Sequence, residues 1–187
     1  EYGELTRALQ GAVLEISPSS PHHINPLDIN RGYGAGENPV AMKSELMMSI
    51  CEQQMGVGQL GAVHKSIIDR CTANIYHDFI KSGGEGRIPT LPDWRNEVKR
   101  QPEREAQELA LASELFVEGS LNMFAHETNF DIDNRIVCFD LYEMGEQLKP
   151  TALNVVLETI QNRVAANRLA GRYTWVFVDE VYLFFKY

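Results

Sequence analysis

The chain has 187 residues, of which 44% are hydrophobic and 23% are charged. This is an ordinary globular composition, sufficient for one domain or for a core with a small subdomain. The net charge of −9 argues against tight binding of free nucleic acid by this chain alone, because such a surface repels phosphates. No apolar run approaches the ~18 residues that a membrane-spanning helix requires.

The two ends and the cysteines bound the class of protein further. The N-terminus has neither a methionine nor a signal-peptide pattern, and the C-terminus stops within the apolar run 181–185. We therefore expect the chain to be part of a longer protein. Its three cysteines, Cys51, Cys71 and Cys138, form no CxxC pattern and cannot all pair within one chain. They are predicted to be reduced, buried thiols of a cytosolic protein.

The first 40 residues predict one strand among irregular segments. Residues 4–9 can form a short helix that Gly11 ends, and Ala12–Ile16 has the apolar continuity of a strand. Prolines and serines then predict a loop over 17–26, and a glycine-rich loop follows over 30–39.

The stretch 41–124 is patterned for helices throughout. Apolar residues at the helical period predict two helices between 41 and 81. These helices are separated by three glycines, Gly56, Gly58 and Gly61. Thr90 or Asp93 can cap a short helix that two prolines flank, and residues 103–124 predict a further helix.

The period changes after residue 124. Arg135–Leu141 is a short, nearly continuous apolar strand, and residues 150–170 form a helical stripe with Pro150 in its first turn and Gly171 after its end. Tyr173–Val178 is a second apolar strand. This strand–helix–strand unit predicts a covered parallel sheet. The expected fold class is α/β, with a partial parallel sheet interrupted by the all-helical block.

Two adjacent carboxylates, Asp179 and Glu180, follow the last predicted strand directly. Bulky apolar residues that run into such a pair are typical of the Walker B element of P-loop ATPases, at the carboxyl end of a buried strand. In that interpretation Asp179 helps to hold the Mg²⁺ of Mg-ATP, usually through water, and Glu180 is the catalytic base that polarises the attacking water. The alternative is that both acids only cap the next helix.

The phosphate-binding loop that such an ATPase needs is missing. A GxxxxGK[ST] motif does not occur, and the sequence has no Gly-Lys dipeptide. Gly32, Gly34 and Gly36 lack the following Lys and Ser/Thr, so they predict a surface loop.

The five histidines show no metal-ligand spacing. His22 and His23 are adjacent, so they point to opposite sides of an extended chain. His64 lies on an apolar helical stripe, His77 lies near a helix end, and His126 lacks the second histidine of an HExxH motif. They predict no metal site.

Five short segments occur in this order along the chain: Glu1-Tyr2, Ile-Asn-Pro-Leu-Asp at 24–28, Phe-Asp-Leu at 139–141, Leu-Lys-Pro at 148–150, and Val-Asp-Glu at 178–180. In this order the chain resembles the VirB/TrbE-type ATPases of type IV secretion and conjugative transfer systems. That family belongs to the HerA/FtsK-like branch of the RecA-fold motors. The resemblance extends over nearly the whole chain.

This resemblance implies a RecA-like core, made of residues 1–40 and 125–187, into which a helical subdomain at 41–124 is inserted. It also implies an ATP- and Mg²⁺-dependent hexameric or dimeric motor, associated peripherally with the cytoplasmic face of the cell membrane. Other type IV secretion components would be its partners, and any DNA contact would lie outside this chain. The family's Walker A would precede Glu1 and its arginine elements would follow Tyr187. We therefore expect the isolated chain to bind and hydrolyse ATP poorly.

Two other functions stay open at this point. One is a non-catalytic interaction or scaffold domain of a secretion or DNA-processing complex, and the other is a cytosolic α/β enzyme with an unrecognised pocket. A GxxxxGK[ST] motif upstream of Glu1 in the parent reading frame would favour the motor.

Overall fold

The computed structural model describes residues 2–29, 38–130 and 134–179. Helices and a small parallel sheet make a mixed fold. In chain order its elements are α1 (Tyr2–Ala8), β1 (Ala12–Glu15), α2 (Pro39–Met55), α3 (Ala62–Lys81), α4 (Leu91–Lys99), α5 (Arg104–Ala112), α6 (Glu114–Val117), a 3₁₀ turn (Asn122–Phe124), β2 (Val137–Asp140) and α7 (Lys149–Leu169).

The sheet of the described residues consists of β1 and β2, which pair in parallel. The register runs from Ala12 opposite Val137 to Glu15 opposite Asp140. Gly11 makes this arrangement possible, because a Cβ atom there would lie 2.6 Å from Cγ2 of Thr6 and 2.7 Å from the carbonyl oxygen of Ile136. The glycine thus lets α1 fold back onto the sheet.

The prediction of a third strand at Tyr173–Val178 is wrong. Residues 172–178 have no regular secondary structure and belong to neither strand. Their side chains are exposed, with Tyr173 at 96% and Phe177 at 88% of full exposure. An apolar run indicates a tendency to be buried, but a strand also needs a neighbour for its backbone N–H and C=O groups. The described part of the chain supplies none for this segment.

Residues 41–124, which are all described, contain helices and no strand. The helical period of the sequence predicts this content correctly. Thr90 is the N-cap of α4, and its backbone N–H donates to the Asp93 carboxylate at 2.8 Å. Thr90 is therefore the capping residue, and Asp93 makes the reciprocal contact to the backbone N–H of Thr90. The division into an inserted subdomain and a RecA-like core stays a prediction.

The sequence predicts one helix over 103–124, but the structure interrupts it after Ala112. The prediction of a continuous helix is therefore wrong. The carbonyl oxygen of Ala110 accepts hydrogen bonds from Nε of Arg95 at 2.9 Å and from the Ser113 hydroxyl at 3.0 Å. A continuous helix would need the same oxygen for the N–H of Glu114. The chain therefore ends α5 at Ala112 and restarts as the short α6.

The core lies mainly among the helices α2 to α5. Trp94 is fully buried, and its indole N–H donates to the Thr72 hydroxyl at 3.1 Å. The largest fully buried side chains around it include Tyr76, Met47, Ile50, Ile67, Ile68 and Leu109. Cys51 and Cys71 belong to this core, Cys138 is half-buried, and all three are free thiols.

Helix α7 begins and ends one residue before the predicted bounds of 150–170, and it buries a largely different face. Pro150 lies in its first turn, and Gly171 follows its end with φ of 68°. The apolar residues at the helical period, which predict the inward face, are Leu153, Val156, Leu157, Ile160, Val164 and Leu169. The buried residues are Thr151, Ala152, Val155, Val156 and Asn162, so the two sets share only Val156, and Leu169 is 63% exposed. Polar side chains carry much of the packing of α7, so the apolar period misplaces its buried face.

No described helix is both long and apolar enough to cross a membrane.

Candidate functional site

The acidic pair predicted to carry the chemistry lies at the edge of what the structure describes. Asp179 is exposed and follows the irregular segment 172–178. Glu180 lies outside the described residues, as do Gly32, Gly34 and Gly36. The structure therefore places one of the two predicted site residues, on an exposed segment and not at a strand end.

The start of this segment is fastened to the end of α7. The side-chain amide of Asn167 donates to the Thr174 hydroxyl at 2.8 Å. The backbone N–H of Arg172 donates to the carbonyl oxygen of Asn167 at 2.8 Å. Asn167 thus holds two points of the segment that leads to Asp179, so the direction in which the segment leaves the fold depends on the position of α7.

The carboxyl edge of the small sheet carries a second group of polar residues. Asp140 ends β2, and its carboxylate accepts from the backbone N–H of Tyr142 at 2.9 Å. Beside it, Ser17 follows β1 and is buried, with its hydroxyl 3.2 Å from that of Ser19. Open α/β sheets bind ligands outside this edge. Asp140 and Ser17 are therefore polar residues at the edge of this sheet where a ligand would be expected.

The turn 25–28 is held by many hydrogen bonds. The Asn25 side chain accepts from the N–H of Leu27 at 3.1 Å and donates both to Asp28 at 3.1 Å and to the carbonyl of Pro89 at 3.0 Å. Other elements bind the turn from outside: Tyr76 of α3 donates to the Leu27 carbonyl, Asn162 of α7 to the Asp28 carbonyl, Lys43 of α2 to the Pro26 carbonyl, and Thr128 to the Asp28 carboxylate. The turn thus joins three helices and two loops.

One ionisable group of this cluster, Lys43, is buried, and a second, Asp28, is half-buried. Lys43 is 1% exposed, and its ammonium binds the Glu158 carboxylate at 2.7 Å and the Pro26 carbonyl oxygen at 2.9 Å. Burial lowers the pKa of Lys43, and the charge of Glu158 opposes that shift. Burial also raises the pKa of the Asp28 carboxyl, against the hydrogen bond from Thr128. Both shifts show that this polar cluster lies in a poorly solvated place.

Of the five histidines, only His64 is buried, and two others form an unexpected ring contact. His64 is buried, and its ring nitrogens contact the N–H of Gly61 and the carboxylate of Glu108, each at 3.2 Å. The rings of His23 and His126 lie 4.4 Å apart between centroids, a contact that the sequence spacing did not indicate. Among the described residues no group of three or more His, Cys, Asp or Glu side chains could hold a metal ion.

Comparison with known proteins gives a likeness to a solved structure. No protein-family model matches the sequence, and no curated protein matches it. The structure of VirB4 of Thermoanaerobacter pseudethanolicus matches 89% of this chain with a TM-score of 0.71 at 17% sequence identity. The chain has a VirB4-like fold. It spans 47% of the VirB4 chain, about half its length.

The VirB4-like fold agrees with the resemblance that the sequence landmarks suggest. At 17% identity the likeness is one of fold alone, since unrelated activities occur on shared folds. A RecA-like core and the roles of Asp179 and Glu180 therefore stay predictions.

Sequence reasoning missed the polar cluster around the turn 25–28. It singled out Ile24–Asp28 as a landmark but gave no role to Lys43 or Glu158. A lysine and a glutamate on amphipathic helices are ordinarily solvent-facing, so a single sequence offers no signal that this pair is buried. The available hint was Asn-Pro-x-Asp, a pattern in which the asparagine side chain bonds the backbone two residues on.

Proposed function

We propose that this chain is part of an ATP-hydrolysing motor that energises type IV secretion or conjugative transfer of DNA or protein. The observation that carries the proposal is the VirB4-like fold, found over 89% of the chain. VirB4 is a type IV secretion ATPase. The ordered landmarks of the sequence point to the same family.

In this proposal Asp179 and Glu180 are the Walker B pair. Asp179 would hold Mg²⁺ through water, and its exposed carboxylate suits that role, since Mg²⁺ keeps several waters and takes only one or two carboxylates besides the substrate phosphates. The metal supplies charge neutralisation at the phosphates when it is bound. Glu180 would accept the proton of the attacking water as general base.

The proposal requires a phosphate-binding loop from outside this chain, because the sequence contains no GxxxxGK[ST] motif. We propose that the longer protein supplies it and that the active form is a hexamer or dimer. Its place would be the cytoplasmic side of the cell membrane, in contact with other type IV secretion components. Any DNA contact would be made by parts outside this acidic chain.

The decisive experiment measures steady-state ATP hydrolysis by the longer protein and its Glu180→Gln variant. Gln keeps the shape and hydrogen bonding of Glu but cannot accept a proton, so turnover should fall by ~10²–10⁴-fold while nucleotide binding is kept. Asp179→Asn should instead weaken metal placement, so added Mg²⁺ should recover part of its activity. A parental rate in the Glu180→Gln variant would contradict the assignment of the base.

Calorimetric titration of the isolated chain with Mg-ATP is the complementary measurement. Without the amides and lysine of a phosphate loop, most contacts to the β- and γ-phosphates are missing. We expect no micromolar binding. Micromolar affinity would mean that the nucleotide site lies elsewhere on this chain. A longer protein that neither binds nor hydrolyses ATP would favour the scaffold function.

A further inference from the structure

Polar side-chain pairs occur along the whole contact between α2 and α7. Three sets of side chains join the two helices. Lys43 binds Glu158 at 2.7 Å, Asn154 donates to Ser49 at 3.0 Å, and Thr151 lies between Gln53 at 2.8 Å and Gln54 at 3.2 Å. Numbers that rise on α2 fall on α7, so the helices run antiparallel. We call these contacts the polar seam.

The buried end of the seam is the Lys43–Glu158 ion pair. The two side chains are 1% and 12% exposed, respectively. Apolar residues of similar size usually replace such a pair at no loss of stability, because desolvation of the two charges offsets their attraction. Buried polar pairs are best attested as devices that fix the register of packed helices. Lys43 is further held by the Pro26 carbonyl, so its ammonium has a fixed place to which α7 must align.

The register of α7 is transmitted to the segment that carries Asp179. From Glu158 to Asn167 the helix is uninterrupted and rises roughly 13 Å, at 1.5 Å per residue. Asn167 then holds Arg172 and Thr174. An axial displacement of α7 by one turn would move this anchor by roughly 5 Å.

We propose that Lys43 and Glu158 are positioning residues that fix the axial register of α7 on α2, and thereby the place from which residues 172–179 leave the fold. The register itself does not depend on the proposed ATPase function. Only its consequence for catalysis at Asp179 rests on that function.

Disulfide trapping in the isolated chain tests the register. The Ser49→Cys/Asn154→Cys pair reports the observed register, and the Gln53→Cys/Asn154→Cys pair reports a displacement by about one turn. With Lys43 and Glu158 intact, the first cross-link should form much faster than the second. In a Lys43→Met/Glu158→Met background the ratio of the two rates should fall about tenfold or more, since polar pairs of this kind select one register among several. Peptide mapping identifies each cross-link.

Matched controls separate positioning from general stability. The Arg70→Met/Glu103→Met background removes a partly exposed ion pair between α3 and the N-cap of α5, away from the polar seam, and should leave the ratio unchanged. Thermal melting should show the Lys43→Met/Glu158→Met background folded, with a midpoint at or above that of the native chain. Lys43→Met alone should melt earlier, because it removes the Lys43 ammonium from the largely buried Glu158 carboxylate. An unchanged cross-link ratio in the folded double variant would overturn the proposal.

The same double variant in the longer protein tests the consequence for catalysis. Turnover should fall by about tenfold with the KM for ATP unchanged, because the phosphate contacts lie outside this chain and only the acidic pair is displaced. A changed ratio with normal turnover would keep the register role and remove its link to catalysis. A longer protein without any ATPase activity would refute the proposed function but leave the cross-linking result to decide the register.

Discussion

The two tryptophans of the chain lie in opposite surroundings. Trp94, in the helical region, is fully buried and hydrogen-bonded to Thr72, whereas Trp175, in the segment after α7, is 82% exposed. Trp175 lies in an apolar run that predicts burial, whereas Trp94 is flanked by the polar residues Asp93 and Arg95. The difference shows that the helical region contains its own packing partners, while the segment 172–178 has an apolar sequence without a described neighbour to cover it.

Replacing each tryptophan is the strongest way to break this comparison. Trp94→Ala should lower the free energy of unfolding by about 3–5 kcal/mol, because it leaves a large cavity in the core. Trp175→Ala should change it by less than about 0.5 kcal/mol, as an exposed side chain without packing does. Denaturant unfolding of both variants measures the difference. A loss of several kcal/mol in Trp175→Ala would show that the segment is packed in solution.

A glycine at the start of the sheet gives the next largest expected effect. Gly11→Ala should cost about 1–3 kcal/mol, because the new methyl group overlaps Thr6 and the Ile136 carbonyl unless α1 and β2 move apart. Gly145→Ala is the matched control, since nothing lies within 4 Å of a Cβ there. Equal stability of the two variants would mean that α1 is not closely packed on the sheet in solution.

The titration of Asp28 gives the smallest effect and sharpens the picture of the polar cluster. Its pKa is raised by burial, so the folded chain binds this proton more tightly than the unfolded one. The stabilisation is complete below the ordinary aspartate pKa of about 3.9 and is lost as the pH rises through the folded-state pKa. Asn cannot titrate, so the stability of Asp28→Asn relative to the native chain should rise with pH across this window.

Urea unfolding of both proteins at a series of acidic pH values checks this prediction. Parallel stability curves would contradict it. Thr128→Val removes a hydrogen bond that lowers the pKa of Asp28. The fall in stability should then move to higher pH, which would assign the titration to this carboxyl group.

The helices were predictable because their signals are local. The period of α2 and α3, the cap at Thr90 and the glycine after α7 all operate within a few residues. The break after Ala112 was not predictable, since it depends on Arg95 reaching the Ala110 carbonyl from another helix. The buried face of α7 was missed for a related reason: residues such as Thr151 and Asn162 are buried by their hydrogen bonds rather than by hydrophobicity.

The residues of the candidate site also divide into those that a local sequence pattern indicates and those that only distant contacts bring together. Asp179 and Glu180 were identified by a linear pattern, and their proposed roles depend on a strand that the described residues do not form. The turn 25–28 and the Lys43–Glu158 pair depend on contacts between distant segments. No spacing rule connects residue 43 to residue 158, so only the three-dimensional arrangement could bring them to attention.

The parallel pairing of β1 with β2 has a consequence for how the chain is made. Ala12 pairs with Val137, so β1 leaves the ribosome roughly 6–25 s before its partner at synthesis rates of 5–20 residues per second. The helices between them are stabilised largely by nearer contacts and can form during that interval. Strand β1 therefore pairs late, and its unpaired apolar edge must be protected from other chains until β2 has been synthesised.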